Sequence, residues 1–247
     1  MKFKKLFKII LISLASLILL AYIVIFVIPQ VYLVPITKYN SSKAKTPSAY
    51  IMPQNIDLSK IKDYANVYEI NSLGIKFKSP WGNPVETIKK SENISTFKFD
   101  GDKSINIFFH GGGFGILNEL KDNSYKVYQL FQKYEPESLQ SEYIFFKNVY
   151  KSNPDKLTIF TSKGKATLDC FRISYKYILI SENARLGIFD NSKFRGFQTK
   201  LNLDSDSSII DIFDNFNNWY DMRVSGGNVT QDEINYIINS LDYSEKK

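Results

Sequence analysis

Residues 9–28 read IILISLASLILLAYIVIFVI, an unbroken run of 20 residues with no charge, no proline and no glycine. At a rise of about 1.5 Å per residue, such a run spans about 30 Å as a helix, the hydrocarbon thickness of a bilayer. Its only polar side chains are Ser13, Ser16 and Tyr22, and each Leu, Ile, Val or Phe favours insertion by roughly 0.3–0.6 kcal/mol. The run predicts one N-terminal transmembrane helix. A cleaved signal fits less well, because its apolar stretch is about 7–15 residues long and ends at a small-x-small triplet. Here the only such triplet, Ser13-Leu14-Ala15, lies inside the run, and the sole cysteine, Cys170, is far from any lipoprotein cleavage position.

Lys2, Lys4, Lys5 and Lys8 precede the run, and Lys38, Lys43 and Lys45 follow it more sparsely. The positive-inside bias then places the N-terminus in the cytoplasm and the remainder outside it. The expected localisation is a bacterial inner or cell membrane, with the lipid bilayer as partner and other envelope proteins as further partners. The chain's abundance of Lys, Asn and Ile agrees with an AT-rich bacterial genome.

The formal charge of +7 falls to +3 once the four leading lysines are assigned to topology. The remaining arginines, Arg172, Arg185, Arg195 and Arg223, are scattered, so the electrostatic footprint of a nucleic-acid binder is missing and no nucleic acid is expected as a partner. One cysteine excludes an internal disulfide, and one histidine, His110, excludes a His-rich metal site.

Four of the eight prolines, Pro29, Pro35, Pro47 and Pro53, fall within 29–54 around the polar stretch KYNSSKAKTPS. The chain therefore divides into a basic tail (1–8), the apolar run (9–28), a Pro-rich stalk (29–54) and a single domain (55–247). Within that domain, period-two patterns predict strands over 66–71, 74–79, 95–99, 104–109, 157–161, 186–189, 194–201, 209–213 and 219–224, with an Asp-Gly turn at Asp100-Gly101-Asp102. Helical spacing runs from Ile116 to Tyr134, and a second helix follows Pro136 to about Tyr150. Ile56 to Ile61 reads as a short helix. Lys165 to Ile180 fits both periods and stays open between helix and strand. Thr230-Gln-Asp-Glu233 is a capping box, so a helix from Gln231 to about Leu241 closes the domain. The expected class is α+β: the transmembrane helix, then one domain with a mainly antiparallel sheet, central helices and a capped C-terminal helix. This layout of early hairpins, a Pro-Trp turn and a final capped helix is loosely similar to that of PsbP-like domains, as a pattern of elements and not as a family match.

Phe108-Phe-His-Gly-Gly-Gly-Phe-Gly115 follows a predicted strand and resembles the HGGG oxyanion loop of lipases and esterases of the α/β-hydrolase fold. The resemblance implies that the amides of Gly111, Gly112 and Gly113 stabilise an oxyanion. It stops there, because no G-x-S-x-G elbow exists and the family's separate catalytic histidine is missing. The same glycines miss the dinucleotide fingerprint, since its third glycine position is Ile116, and Gly164-Lys165 lacks a P-loop's hydroxyl, since Ala166 follows. Asp204-Ser-Asp206 starts like a calcium loop, but Ile209 stands at the obligatory glycine. No cofactor and no metal are expected. His110 is a candidate lone general base, with Asp100, Asp102 or Glu119 as orienting partner. Trp81 and Trp219 are candidate ligand platforms. The leading functional expectation is a non-catalytic extracytoplasmic binding or envelope-assembly domain. The alternatives are a tethered hydrolase-like enzyme using His110 and the Gly111–Gly115 loop, and a small-ligand sensor or carrier with an aromatic-lined pocket.

Overall fold

The computed structural model describes residues 13–23, 30–43, 48–59, 61–112, 115–158, 161–180, 184–200 and 207–244. The expected transmembrane helix is corrected at the outset. Among the described residues, no helix is long and apolar enough to cross a membrane. Of the apolar run, 13–23 are described, and 13–22 form a helix, α1. The other residues of the run lie outside the described ones. The single-pass anchor, the membrane localisation and the orientation inferred from the lysines lose their support with that helix.

The Pro-rich stretch read as a stalk contains a helix, α2 (Gln30–Lys43), with Pro35 inside it. Val34 is buried there, and with Leu33 it packs against Ala49, Leu157, Cys170 and Ile173. An apolar partner thus holds a helix that composition alone disfavours.

The architecture is α+β, as expected, with seven α-helices among the described residues and a sheet that is mixed. Strands β1 (Gln54–Asn55), β4 (Glu86–Ser91), β5 (Ile94–Lys98), β6 (Ser104–Gly112), β7 (Arg185–Asp190), β8 (Phe194–Lys200), β9 (Ser208–Asp214) and β10 (Asn218–Ser225) form an eight-stranded sheet in the order β1-β7-β8-β9-β10-β6-β5-β4. The pair β1–β7 is parallel, and the other neighbours are antiparallel. Strands β2 (Tyr68–Ser72), β3 (Ile75–Ser79) and β11 (Asp242–Tyr243) form a small second sheet in the order β11-β3-β2.

Alternation along the strands builds the two cores. On β6, β9 and β10, Ile105, Ile107, Ile210, Ile212, Met222 and Val224 face one way. They pack with Ile70, Ile75 and Phe77 of the small sheet and with Ile234, Ile237 and Ile238 of helix α7 (Gln231–Asn239). The opposite face presents Phe197, Phe213 and Trp219 to a helical layer: α3 (Gly115–Asn123), α4 (Tyr125–Tyr134), α5 (Glu142–Tyr150) and α6 (Lys163–Leu179). Small sheet plus α7, large sheet, and helices make three layers.

Several elements differ from the sequence reading. Residues 116–134 form two helices, because the chain breaks at Ser124. Pro136–Leu139 is a 3₁₀ turn, and α5 starts only after Ser141, whose side chain accepts from the Ile144 N–H. The stretch left open at 165–180 is helical. Residues 56–59 are not helical, and Lys60 lies outside the described residues, as do 159–160 of the expected strand 157–161 and 204–206 of the calcium-like stretch. α7 carries both hydrogen bonds of the capping box.

Candidate functional site

His110, Gly111 and Gly112 end β6, with His110 on the face turned toward the helices, and Gly113 lies outside the described residues. The structure brings His110 onto Trp219 of β10, with ring centroids 4.1 Å apart and planes 23° apart. Strand β10 breaks register between Asn218 and Tyr220, opposite the end of β6, and this irregularity sets the indole beside the imidazole. Trp219 Nε1 donates to Asp211 Oδ1 at 3.1 Å. Asp211 also accepts from the buried Tyr150 hydroxyl. Directly across the ladder from Asp211 stands Asp221, so two carboxylates occupy one cross-strand pair. Arg223 clasps Asp221 Oδ2 from Nη2 at 3.0 Å and Nε at 3.2 Å, while Asp221 Oδ1 is buried without a hydrogen-bond partner.

Burial pushes the Asp211 carboxyl up to about 7, and Asp221 opposite adds to the shift, against the Trp219 and Tyr150 hydrogen bonds and Arg223. The residue keeps some accessible surface, but its carboxylate sits among Trp219, Tyr150 and Asp221. A protonated Asp211 supplies a donor across the ladder from the oxygen that Asp221 leaves unpaired. The His110 imidazole is lowered from its ordinary value, chiefly by lost hydration; Asp221 opposes and Arg223 reinforces the change. It is therefore neutral at pH 7.

The orienting partners named from sequence are placed otherwise, Glu119 of α3 beside Tyr175 of α6. Asp100 and Asp102 lie in the turn before Ser104, at the opposite end of β6 from His110. Six residue steps along the strand carry the chain from Ser104 to His110, about 20 Å. The carboxylate that acts on His110 is Asp221.

The glycine loop, whose own amides the hydrolase resemblance would aim at an oxyanion, leads into α3. Glu142 of α5 caps that helix: the Ile116 N–H donates to its Oε1 at 2.6 Å, and Leu117 adds a second backbone bond. Glu142 is buried, its pKa is raised by that burial, and the two amides offset part of the change. The helix N-terminus is closed by a side chain of the protein itself.

Trp81 stands elsewhere, on the α7 side of the sheet. Its Nε1 donates to Glu233 Oε1 at 2.7 Å, its ring meets Phe99 edge-on at 5.1 Å, and Lys103 Nζ lies 5.1 Å from the ring centre. Glu233 is also the capping-box acid of α7, so Trp81 fastens that helix. Replacing Trp81 by Phe is expected to lower stability by about 1 kcal/mol through the lost Nε1 bond. Chemical unfolding checks this; an unchanged midpoint would deny Trp81 the fastening role.

A cavity of about 330 Å³ opens at the other end of the sheet, where β1, β7 and β8 meet the start of α7. Its walls are amides: Gln54, Asn55, Gln198, Gln231 and Asn235. Gln198 and Gln231 exchange bonds in both directions, at 2.9 and 2.8 Å, and Gln231 reaches on to Asn235 at 2.8 Å. Arg185 and Asp57 bring one charge of each sign, and Val229 and Ile234 add apolar surface. Gly187 lets Ile56 pack closely there, since an added Cβ would lie 2.6 Å from Ile56 Cδ1. None of these residues was singled out from sequence, because scattered amides carry no spacing signature. Among the described residues, no group of three or more His, Cys, Asp or Glu side chains could hold a metal ion. No protein-family model matches the chain, and no curated protein matches it.

Proposed function

We propose that the chain is a non-catalytic binding protein that takes a small, uncharged, hydroxyl-rich ligand in the amide-walled cavity. The observation that carries this reading is the composition of that wall. Amides both donate and accept, which suits hydroxyl groups, and the single Arg185–Asp57 charge balance favours a neutral guest. The cavity has the size of a small-ligand site, and its walls hold no histidine or cysteine to act as base or nucleophile.

Titration calorimetry with glucose, N-acetylglucosamine and inositol tests the reading on the wild-type protein. Saturable binding by at least one of them is expected, and Arg185→Ala should weaken it about fivefold, the loss of one modest hydrogen bond. Arg185 is exposed, so the variant should keep its unfolding midpoint. Absence of binding by all three sugars, or equal binding by the variant, sinks the proposal.

A further inference from the structure

Far from the amide-walled cavity in sequence, α5, the 3₁₀ turn at Pro154–Lys156 and α6 border a second cavity of about 310 Å³. Four cationic side chains line it, Lys151, Lys156, Lys165 and Arg172, against one lining carboxylate, Asp169. Lys165 and Arg172 are partly neutralised. Both contact Asp169, and both contact Glu135, Arg172 doing so through Nη1 at 2.6 Å. Lys151 and Lys156 have no ion-pair partner among the described residues. Arg172 commits Nη1 and Nη2 to carboxylates, yet its Nε is buried with no hydrogen-bond partner. A fifth cation abuts the wall: Lys176 is fully buried and donates from Nζ to the Ser152 carbonyl at 2.8 Å. Asn153 also lines the cavity, and its Oδ1 accepts from the Asp155 N–H, which leaves its amide nitrogen to donate.

A buried guanidinium N–H without a partner, two unpaired ammonium groups and a free amide donor belong to side chains that line one cavity with an excess of positive charge. A buried donor without a partner is uncommon and calls for one. We propose that this cavity binds a phosphate-type oxyanion, with Lys151 and Lys156 supplying charge and Arg172 Nε supplying a directed donor. The donor set favours an oxyanion with several acceptor oxygens over a monatomic anion, because its donors come from two separate segments, 151–156 and Arg172 of α6. The site is independent of the hydroxyl-binding cavity, and either can fail without the other.

The test uses the whole protein at low ionic strength, where charge-assisted contacts are least screened. Inorganic phosphate and glycerol 3-phosphate are titrated calorimetrically into the wild type, into Lys151→Ala/Lys156→Ala, and into a control pair, Lys121→Ala/Lys133→Ala, in α3 and α4. Both lysines of the site are exposed and outside the ion-pair network, so the double variant should fold with an unchanged unfolding midpoint. Arg172 is left intact because its loss would leave both Glu135 and Asp169 to Lys165 alone. Saturable phosphate binding is expected in the wild type and the control pair, with affinity reduced about tenfold or more in Lys151→Ala/Lys156→Ala, as for loss of a charge-assisted contact. Tighter binding of glycerol 3-phosphate than of inorganic phosphate supports the proposal and assigns the anion to a phosphorylated molecule. No saturable binding of either compound, or equal weakening in the two double variants, overturns it.

Discussion

Replacing Asp211 by Asn is expected to stabilise the protein above neutral pH and to flatten its stability profile between about pH 4 and 7. An unfolded aspartate ionises near 3.9, whereas burial and the facing Asp221 hold folded Asp211 at about 7. Between those values the folded state binds a proton that the unfolded state has released. Stability in the wild type therefore falls as pH rises through that window and levels off above it. At about 1.36 kcal/mol per pH unit the full penalty is at most about 4 kcal/mol, and partial access of solvent to the residue brings the expectation to about 2–3 kcal/mol. An asparagine carries no charge, keeps an acceptor for Trp219 and Tyr150, and presents a donor toward Asp221. Urea unfolding of both proteins at pH 4 and pH 8 gives the measurement, read as the difference between variant and wild type so that other carboxylates cancel. A difference that is the same at both pH values would show that Asp211 ionises normally in the folded protein.

The second large effect is expected at Gly196. This residue lies within β8, paired on one side with Phe189 of β7 and on the other with Ile212 of β9. A Cβ at this position would sit 1.9 Å from the Asp211 carbonyl oxygen and 2.6 Å from Phe189 Cζ. The carbonyl belongs to the middle of the sheet and has nowhere to move without breaking the ladder. Gly196→Ala is therefore expected to cost about 3 kcal/mol or more, at the upper end of overpacking penalties. Gly187→Ala provides the comparison. Its closest obstacle is the tip of the Ile56 side chain, which can rotate away, so its effect should be less than half as large. Guanidinium unfolding ranks the two, and the reverse order would contradict the packing described for β8.

The elements that could be read from the sequence are those held by local chemistry. The Thr230/Glu233 box places the start of α7 because both of its hydrogen bonds are made within four residues. The β5–β6 turn is marked by Asp-Gly-Asp, where Gly101 and Asp102 take positive φ angles of 72° and 59°. Elements held by their neighbours rather than by their own pattern were hidden. ETIKKS (86–91) has no apolar alternation, and β4 exists because β5 offers it a ladder. The undecided stretch at 165–180 satisfies both periods, and its apolar neighbours in α4 and α5 make it a helix. The apolar run misled, since no helix among the described residues is long and apolar enough to cross a membrane. His110 and Trp219 were singled out separately and meet only through the β6–β10 pairing, while Asp211 and Asp221, facing each other on adjacent strands, carry no motif to announce them.

The two margins of the large sheet differ from its interior in a way that bears on how copies of this chain behave when concentrated. One margin, β1, is two residues long and parallel to its neighbour. The other, β4, is exposed along nearly its whole length and carries Lys89 and Lys90 side by side. A stub gives an incoming strand too few amides to grip, and a strip of ammonium groups repels an identical strip. The apolar strands between them are thereby shielded from templating fibrils or lateral stacks, so the protein guards against self-association by its borders and leaves its centre free to be as greasy as packing requires.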